Sequence, residues 1–380
     1  MTEGTTSTPG AADDTTTTGS TDASGLPSGP SALHDMFDDE FPPSLVPPGE
    51  IISGGPPPDG IPPIDEPFFV EIETADAYLD DAEPVVVLEI DGDARAYPAQ
   101  VLIWHEIVND VVGGVPVAVT YCPLCNSAVS YERVVRGVET TFGTSGRLFA
   151  SALVMYDRAT ESLWTHFDGR AVVGMLAGDQ LEPISSPLMA WGDFKAAFPD
   201  GIVLDRDATG YSRRYGTNPY LGYDNPEGNA FLFRGAADPR AAELQRVVGI
   251  EREGETVAYL LSLVSSNTEP TTVTPTTIGG DDLVILWKSG QASALDENEI
   301  ADGRAVGTVG VYLPVADGTT LTFDPAGDGF VDRETSSTWT VAGVATDGPL
   351  AGTTLERVPH LDTFWFAWST YQPGTVLISS

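Results

Sequence analysis

Lysine is almost missing: among 380 residues only Lys195 and Lys288 are lysines, and 18 basic side chains in all face 56 acidic ones, for a formal charge of −38. Without a basic stripe to neutralise phosphates, a nucleic-acid partner is excluded. Long apolar runs are missing as well. No window approaches the roughly 18 consecutive apolar residues of a membrane-spanning helix, and the N-terminus has neither the basic patch nor the hydrophobic stretch of a signal peptide. Cysteine is limited to Cys122 and Cys125, and histidine to His34, His105, His166 and His360. Any metal or thiol chemistry must draw on that short list.

What is abundant is acid. Such a charge excess repels itself in dilute buffer, whereas molar salt shortens the Debye length to roughly 3 Å and removes most of the penalty. The scarcity of lysine in particular points to a salt-adapted protein of an extreme halophile rather than to an ordinary acidic surface. An apolar fraction of 41% is enough to bury real cores, so the chain is not disordered throughout.

Residues 2–30 are Thr, Ser, Gly, Asp and Pro with almost no large apolar side chain, and are expected to be disordered. The prolines between Pro42 and Pro67 favour an extended linker, so 1–66 reads as tail and linker, with the folded part starting near Pro67. A Thr-rich tail and a Pro-rich spacer would suit a stalk left after export, hence an extracytoplasmic or surface-tethered chain. Comparison of the chain with itself is more informative. Residues 156–165 (YDRATESLWT) align without gaps on 331–340 (VDRETSSTWT), and Trp191 and Pro199 match Trp365 and Pro373 at nearly the same offset. Upstream, 86–97 (VVLEIDGDARAY) resembles 248–259 (VGIEREGETVAY). The expected organisation is therefore a first unit at 67–206, a connection at 207–239 and a second, degenerate unit at 240–380. Short alternating runs separated by Gly and Asp turns make each unit mostly β, with one helix before Pro199 and one before Pro373. The fold class is α+β, predominantly β: two diverged copies of one β-rich unit packed with pseudo-two-fold symmetry. The aromatics of the two helices, Trp191 and Phe194 and then Trp365 and Trp368, read as core.

Cys122 and Cys125 lie in Tyr121-Cys-Pro-Leu-Cys-Asn126, at the end of an expected strand. Two intervening residues let both sulfurs face one point, which suits a metal, a disulfide or an activated thiol. A thioredoxin-like centre needs a helix directly after the motif, but 127–133 reads as a strand. His105 precedes the strand that delivers Cys122 and is the best third ligand, with His360 or His166 as a fourth. Thiolates and imidazole favour Cu or Zn over Mg or Ca. Glu106 and Asp110 could orient His105. In the second unit Lys288, Gln291 and Asn267 stand opposite Cys122, Cys125 and His105, so the three candidates are lost together, as expected of one site. Residues 142–147 (FGTSGR) read as a hairpin turn, with anion binding the weaker use, and the Asp157-Arg158 and Asp332-Arg333 pairs, present in both units, read as scaffold.

The segments WHEIVND (104–110), YCPLC (121–125), FGTSG (142–146) and MYDRATESLW (155–164) together resemble an uncharacterised bacterial and archaeal family known as a domain of unknown function, DUF3179, in a haloarchaeal-type member. That resemblance implies no reaction. Relatives with Thr at the second cysteine imply that Cys125 is less essential than Cys122 and that a disulfide is not obligatory. Three functions stay open: a Cu or Zn site on His105, Cys122 and Cys125, serving an unknown small molecule or redox partner; an enzyme or redox protein using Cys122 with His105 as its base; or a non-catalytic extracellular β domain with a structural disulfide. Donors at about 2 Å from one point would mark the metal, His105 at about 3 Å from the Cys122 sulfur the dyad, and sulfurs at about 2.05 Å the staple.

Overall fold

The computed structural model describes Met1 and residues 25–380, so most of the stretch expected to be disordered lies outside the described residues. The chain is predominantly β, with 39% of residues in strands and 10% in helices, spread over several small, mostly antiparallel sheets. In one of these, Leu188–Ala190, Pro84–Ile90, Asp93–Pro98, Ile202–Leu204 and Phe69–Glu71 are neighbours in that order, and Ile202–Leu204 runs parallel to Asp93–Pro98. Pro98 then starts a short buried helix, α1 (Ala99–His105), as its fixed φ allows. The helix stops at Glu106, whose φ of 59° turns the chain into β1 (Ile107–Val112).

Strand β1 returns as β2 (Val115–Cys122), which in turn pairs with β3 (Ser127–Glu132). Gly113 and Gly114, at φ 55° and 84°, make the two-residue turn between β1 and β2, a conformation that glycine adopts without steric cost. The next hairpin joins β4 (Phe142–Phe149) to β5 (Ala152–Asp157). At the end of the first half lies helix α2 (Trp191–Ala197), where Trp191 and Phe194 stack at 5.5 Å in the core, as the aromatic spacing predicts.

The second half holds a four-stranded sheet in the order His360–Phe364 (β6), Arg246–Arg252, Glu255–Leu260 and Val376–Ile378, the last parallel to its neighbour. Helix α3 (Trp365–Tyr371) follows β6 as α2 follows Leu188–Ala190. The Asp157 carboxylate accepts hydrogen bonds from the N–H groups of Thr160 and Ser162 and, at 2.9 Å, from the Trp164 indole. Asp332 accepts the matching bonds from Thr335, Ser337 and, at 3.0 Å, Trp339. Both Asp-Arg turns are thus scaffold.

Two expectations need correction. The folded part starts well before Pro67: Leu26, Ala32, Ile51 and Ile64 are buried, and Ile52–Ser53 pairs with the edge of β4. The prolines do keep 42–67 extended, but the strip is laid along the sheet, with the Asp59 N–H donating to the Thr144 carbonyl and the Ile64 N–H to that of Ile107. Nor is 142–147 a hairpin turn. It is a bulged stretch of β4, and its glycines make room for this strip: a Cβ on Gly143 would collide with the Asp59 carboxylate and the Tyr156 ring, and one on Gly146 with the Pro56 carbonyl.

Candidate functional site

Cys122 is the last residue of β2, and Cys125 sits in the four-residue loop Pro123-Leu-Cys-Asn126 that leads into β3. The Cys125 N–H donates to the Cys122 carbonyl and the Asn126 N–H to that of Pro123, each at 3.2 Å. Asn126 closes the loop at φ 49°, a left-handed conformation that asparagine tolerates better than most residues. A strand rather than a helix follows, as 127–133 suggests. Both cysteines are free and buried, with their sulfurs 3.0 Å apart in a hydrogen bond.

The two sulfurs are not equivalent. Burial pushes the Cys122 thiol up, but the Cys125 hydrogen bond and the backbone N–H groups of Leu153, Cys125 and Leu124 outweigh it, holding Cys122 below its ordinary value. Burial raises Cys125 well above its own, and donation to Cys122 raises it further. Negative charge on the pair therefore belongs to Cys122. Glu106, left at a buried position by the sharp end of α1, is pushed up to about 8 by burial and then by the charge of Cys122, so it is mostly uncharged near neutral pH.

Three separate parts of the chain close over the loop. From the connection, the Tyr223 hydroxyl donates to the Leu124 carbonyl at 3.0 Å and accepts from the Phe231 N–H at 3.1 Å. From β6, the Thr363 hydroxyl and the Phe364 N–H both donate to the Cys125 carbonyl, at 2.8 and 3.0 Å. The third is the β4–β5 turn, where Ala150 and Ser151 have φ of 49° and 65°. The Ser151 carbonyl lies 4.0 Å from the Cys125 sulfur, and its hydroxyl donates to the Phe231 carbonyl. Two residues with side chains held left-handed cost roughly 1–2 kcal/mol each, and the strain is placed against the thiols.

Residues 58–375, which contain all of these segments, match the family described as a protein of unknown function, DUF3179. The chain belongs to that family. No curated protein and no solved structure matches it.

Of the residues expected to form a site in this DUF3179 chain, Cys122 and Cys125 are brought together and His105 is given other partners. Its Nδ1–H donates to the Pro62 carbonyl at 2.7 Å, which leaves Nε2 to accept from the Tyr215 hydroxyl at 2.7 Å. Both nitrogens are thus committed to pinning the N-terminal strip and the connection to the end of α1. His360 lies on β6 with its ring nitrogens at the carbonyls of Val358 and Val309, 2.9 and 3.2 Å away. Asp110 does not orient His105; it binds Arg95 at 2.9 Å and the Tyr97 hydroxyl at 2.6 Å. Among the described residues no group of three or more His, Cys, Asp or Glu side chains is placed to hold a metal ion. As arranged, the His105–Cys122–Cys125 set offers two donors at one point rather than three.

His166 is bound to two hydroxyls on the strands that flank the cysteine loop. Its Nε2 lies 2.9 Å from the Ser127 hydroxyl and its Nδ1 2.8 Å from that of Thr120. Neither hydroxyl stands in a recognisable spacing to His166, since Thr120 and Ser127 lie 46 and 39 residues away in sequence. The only hint in sequence is that Ser127 is two residues beyond Cys125.

Proposed function

We propose that this chain carries a buried dithiol–disulfide redox centre, with Cys122 as the attacking sulfur and Cys125 as the resolving one. The observation that carries this reading is the sulfur pair itself: two free, buried cysteines 3.0 Å apart in a hydrogen bond, with the backbone N–H groups of Leu153, Cys125 and Leu124 holding Cys122 below its ordinary value. The thiolate is the nucleophile in thiol–disulfide exchange. Cys122 attacks one sulfur of a partner disulfide, releasing one thiolate and forming a mixed disulfide. Cys125 then loses its proton and attacks the Cys122 sulfur, expelling the second thiolate, so the partner gains two electrons and the chain a Cys122–Cys125 bond. In reverse, a partner dithiol is oxidised. Glu106, uncharged and beside the pair, can hold or release the proton that this exchange moves. A Cu or Zn site is the weaker reading, because His105 has neither nitrogen free.

The frame is inferred to be two diverged copies related by pseudo-two-fold symmetry, of which only the first keeps the thiols; matched strand orders and matched Asp–Trp bonds support this. In the place of Cys122 the second has Lys288, which pairs with Asp193 at 2.5 Å.

The test is equilibration of the purified protein, in molar salt, against graded dithiothreitol buffers, followed by intact mass. A reversible loss of two hydrogens, absent from Cys122→Ser and Cys125→Ser variants, is expected. Thiols that stay reduced at every potential while the protein remains folded would sink the reading.

A further inference from the structure

The hydrogen bonds around His166 have a direction, and the direction follows from which groups can only accept. The Thr120 hydroxyl lies 2.5 Å from the Val129 carbonyl, which has no proton to give, so Thr120 donates there. Its oxygen must then accept from His166 at 2.8 Å, which places the imidazole proton on Nδ1. Burial holds His166 uncharged, pushing it down to about 3, so Nε2 carries a lone pair. That lone pair accepts the proton of the Ser127 hydroxyl at 2.9 Å. The Thr120, His166 and Ser127 side chains of this chain of hydrogen bonds are fully buried. Ser127 is the cross-strand partner of Cys122, and its hydroxyl also reaches Cys125, where a donated proton would favour the Cys125 thiolate.

Resting on the dithiol reading above, we propose that His166, oriented by Thr120, is a positioning residue that turns the Ser127 proton away from Cys125 and so keeps the charge of the pair on Cys122. Among the titratable groups near the pair, Glu106, Tyr121, Tyr220, Tyr223 and Tyr371 are each held by burial in the uncharged form near neutral pH. With these groups uncharged, the orientation of a single hydroxyl carries weight. The register of the second half adds independent support. Gly279–Gly280 turns at φ 62° and 86° between Ile278 and Asp281, as Gly113–Gly114 does between Val112 and Val115, which sets Lys288 at the place of Cys122 and Leu286 at that of Thr120. Val341 follows Trp339 by two residues, as His166 follows Trp164. Where the cysteines are replaced, Thr120 and His166 are replaced too. Ser293, which stands for Ser127, is kept but donates to the Asp224 carboxylate at 2.6 Å.

Thr120→Val changes a hydroxyl for a methyl of the same shape, and removes the acceptor that fixes the His166 proton on Nδ1. The imidazole then carries its proton on Nε2 and donates to Ser127, whose own proton is released toward Cys125. The readout is the ratio of Cys122 to Cys125 alkylated by substoichiometric iodoacetamide in molar salt, by peptide mass spectrometry. Any opening needed for the reagent to enter serves both sulfurs and cancels in the ratio. Wild type is expected to favour Cys122. In Thr120→Val that preference should fall by about tenfold, the effect of one hydrogen bond to a charged group. Adding Ser127→Ala removes the released hydroxyl and should restore the ratio, and His166→Gln, which presents an amide oxygen to Ser127 and an N–H to Thr120, should preserve it. Nitrogen-15 spectra of the His166 ring check the tautomer directly in the same samples. An unchanged ratio in Thr120→Val, or a double variant that behaves like Thr120→Val, overturns the proposal. If wild type cycles between dithiol and disulfide while the ratio ignores Thr120, only this inference fails; if wild type neither cycles nor prefers Cys122, the dithiol reading fails with it.

Discussion

Burial of Glu106 beside Cys122 moves its carboxyl from an ordinary 4.5 up to about 8. The folded chain thus keeps a proton that the unfolded chain releases above 4.5, and the linked contribution to stability, full below that value, is lost as pH rises through about 8. Glu106→Gln carries no such linkage. Denaturant melts at fixed molar salt should show the wild type losing a few kcal/mol relative to Glu106→Gln between mildly acid and mildly alkaline pH; parallel profiles would mean that the carboxyl is solvated. His166 works in the opposite direction. The folded chain refuses a proton that the unfolded chain takes up below 6.5, so stability is lost as pH falls from 6.5 toward about 3. His105 gives a second prediction at this scale. Its two part-buried hydrogen bonds tie Pro62 and Tyr215 to α1, so His105→Ala should cost about 2–4 kcal/mol of stability, while the dithiol–disulfide mass change persists. Loss of that change in a folded His105→Ala protein would restore His105 as the base. The thiol pair was legible in sequence because C-x-x-C is a local spacing. His105 misled because its partners come from Pro62 and from Tyr215, 43 and 110 residues away.

Among the elements, alternation marked β2 and β3, and the aromatic period before Pro199 and Pro373 marked α2 and α3. The strip at 42–67 escaped because proline density signals an extended chain without saying whether it is free or docked. The docking signal lies elsewhere, in Gly143 and Gly146 of β4, and glycine in a strand has several meanings. A direct consequence is that Gly143→Ala should lift residues 56–59 from β4. The added methyl meets Asp59 and the Tyr156 ring rather than open space, an overpacking cost of about 1–3 kcal/mol. Limited proteolysis in molar salt should then cut between about residues 54 and 62 in the variant and spare the wild type; equal protection of both would show that the strip is held by other contacts. The family match likewise starts ahead of the expected boundary at Pro67, at residue 58.

The whole molecule carries 56 acidic side chains, and those paired with arginine or lysine in the fold are a minority of them. The remainder repel one another over a range set by the ionic strength. At about 0.1 M salt the Debye length is about 10 Å, longer than the spacing between neighbouring surface charges, and at about 1 M it is about 3 Å. Unfolding spreads the same charge over a larger volume, so self-repulsion favours the unfolded chain at low salt and loses its effect at high salt. The thermal midpoint should therefore climb steeply as potassium chloride rises from about 0.1 to about 1 M, and much more slowly beyond, because screening is then nearly complete. Sodium and potassium chloride should act alike over the steep part, since Debye screening depends on ionic strength and not on the identity of a monovalent cation. Sodium sulfate at matched ionic strength separates screening from the strengthening of apolar burial, which sulfate adds and chloride largely does not. If the steep rise is absent, or if it appears only with sulfate, the charge excess is not what couples this fold to salt, and the inference from scarce lysine to salt adaptation falls.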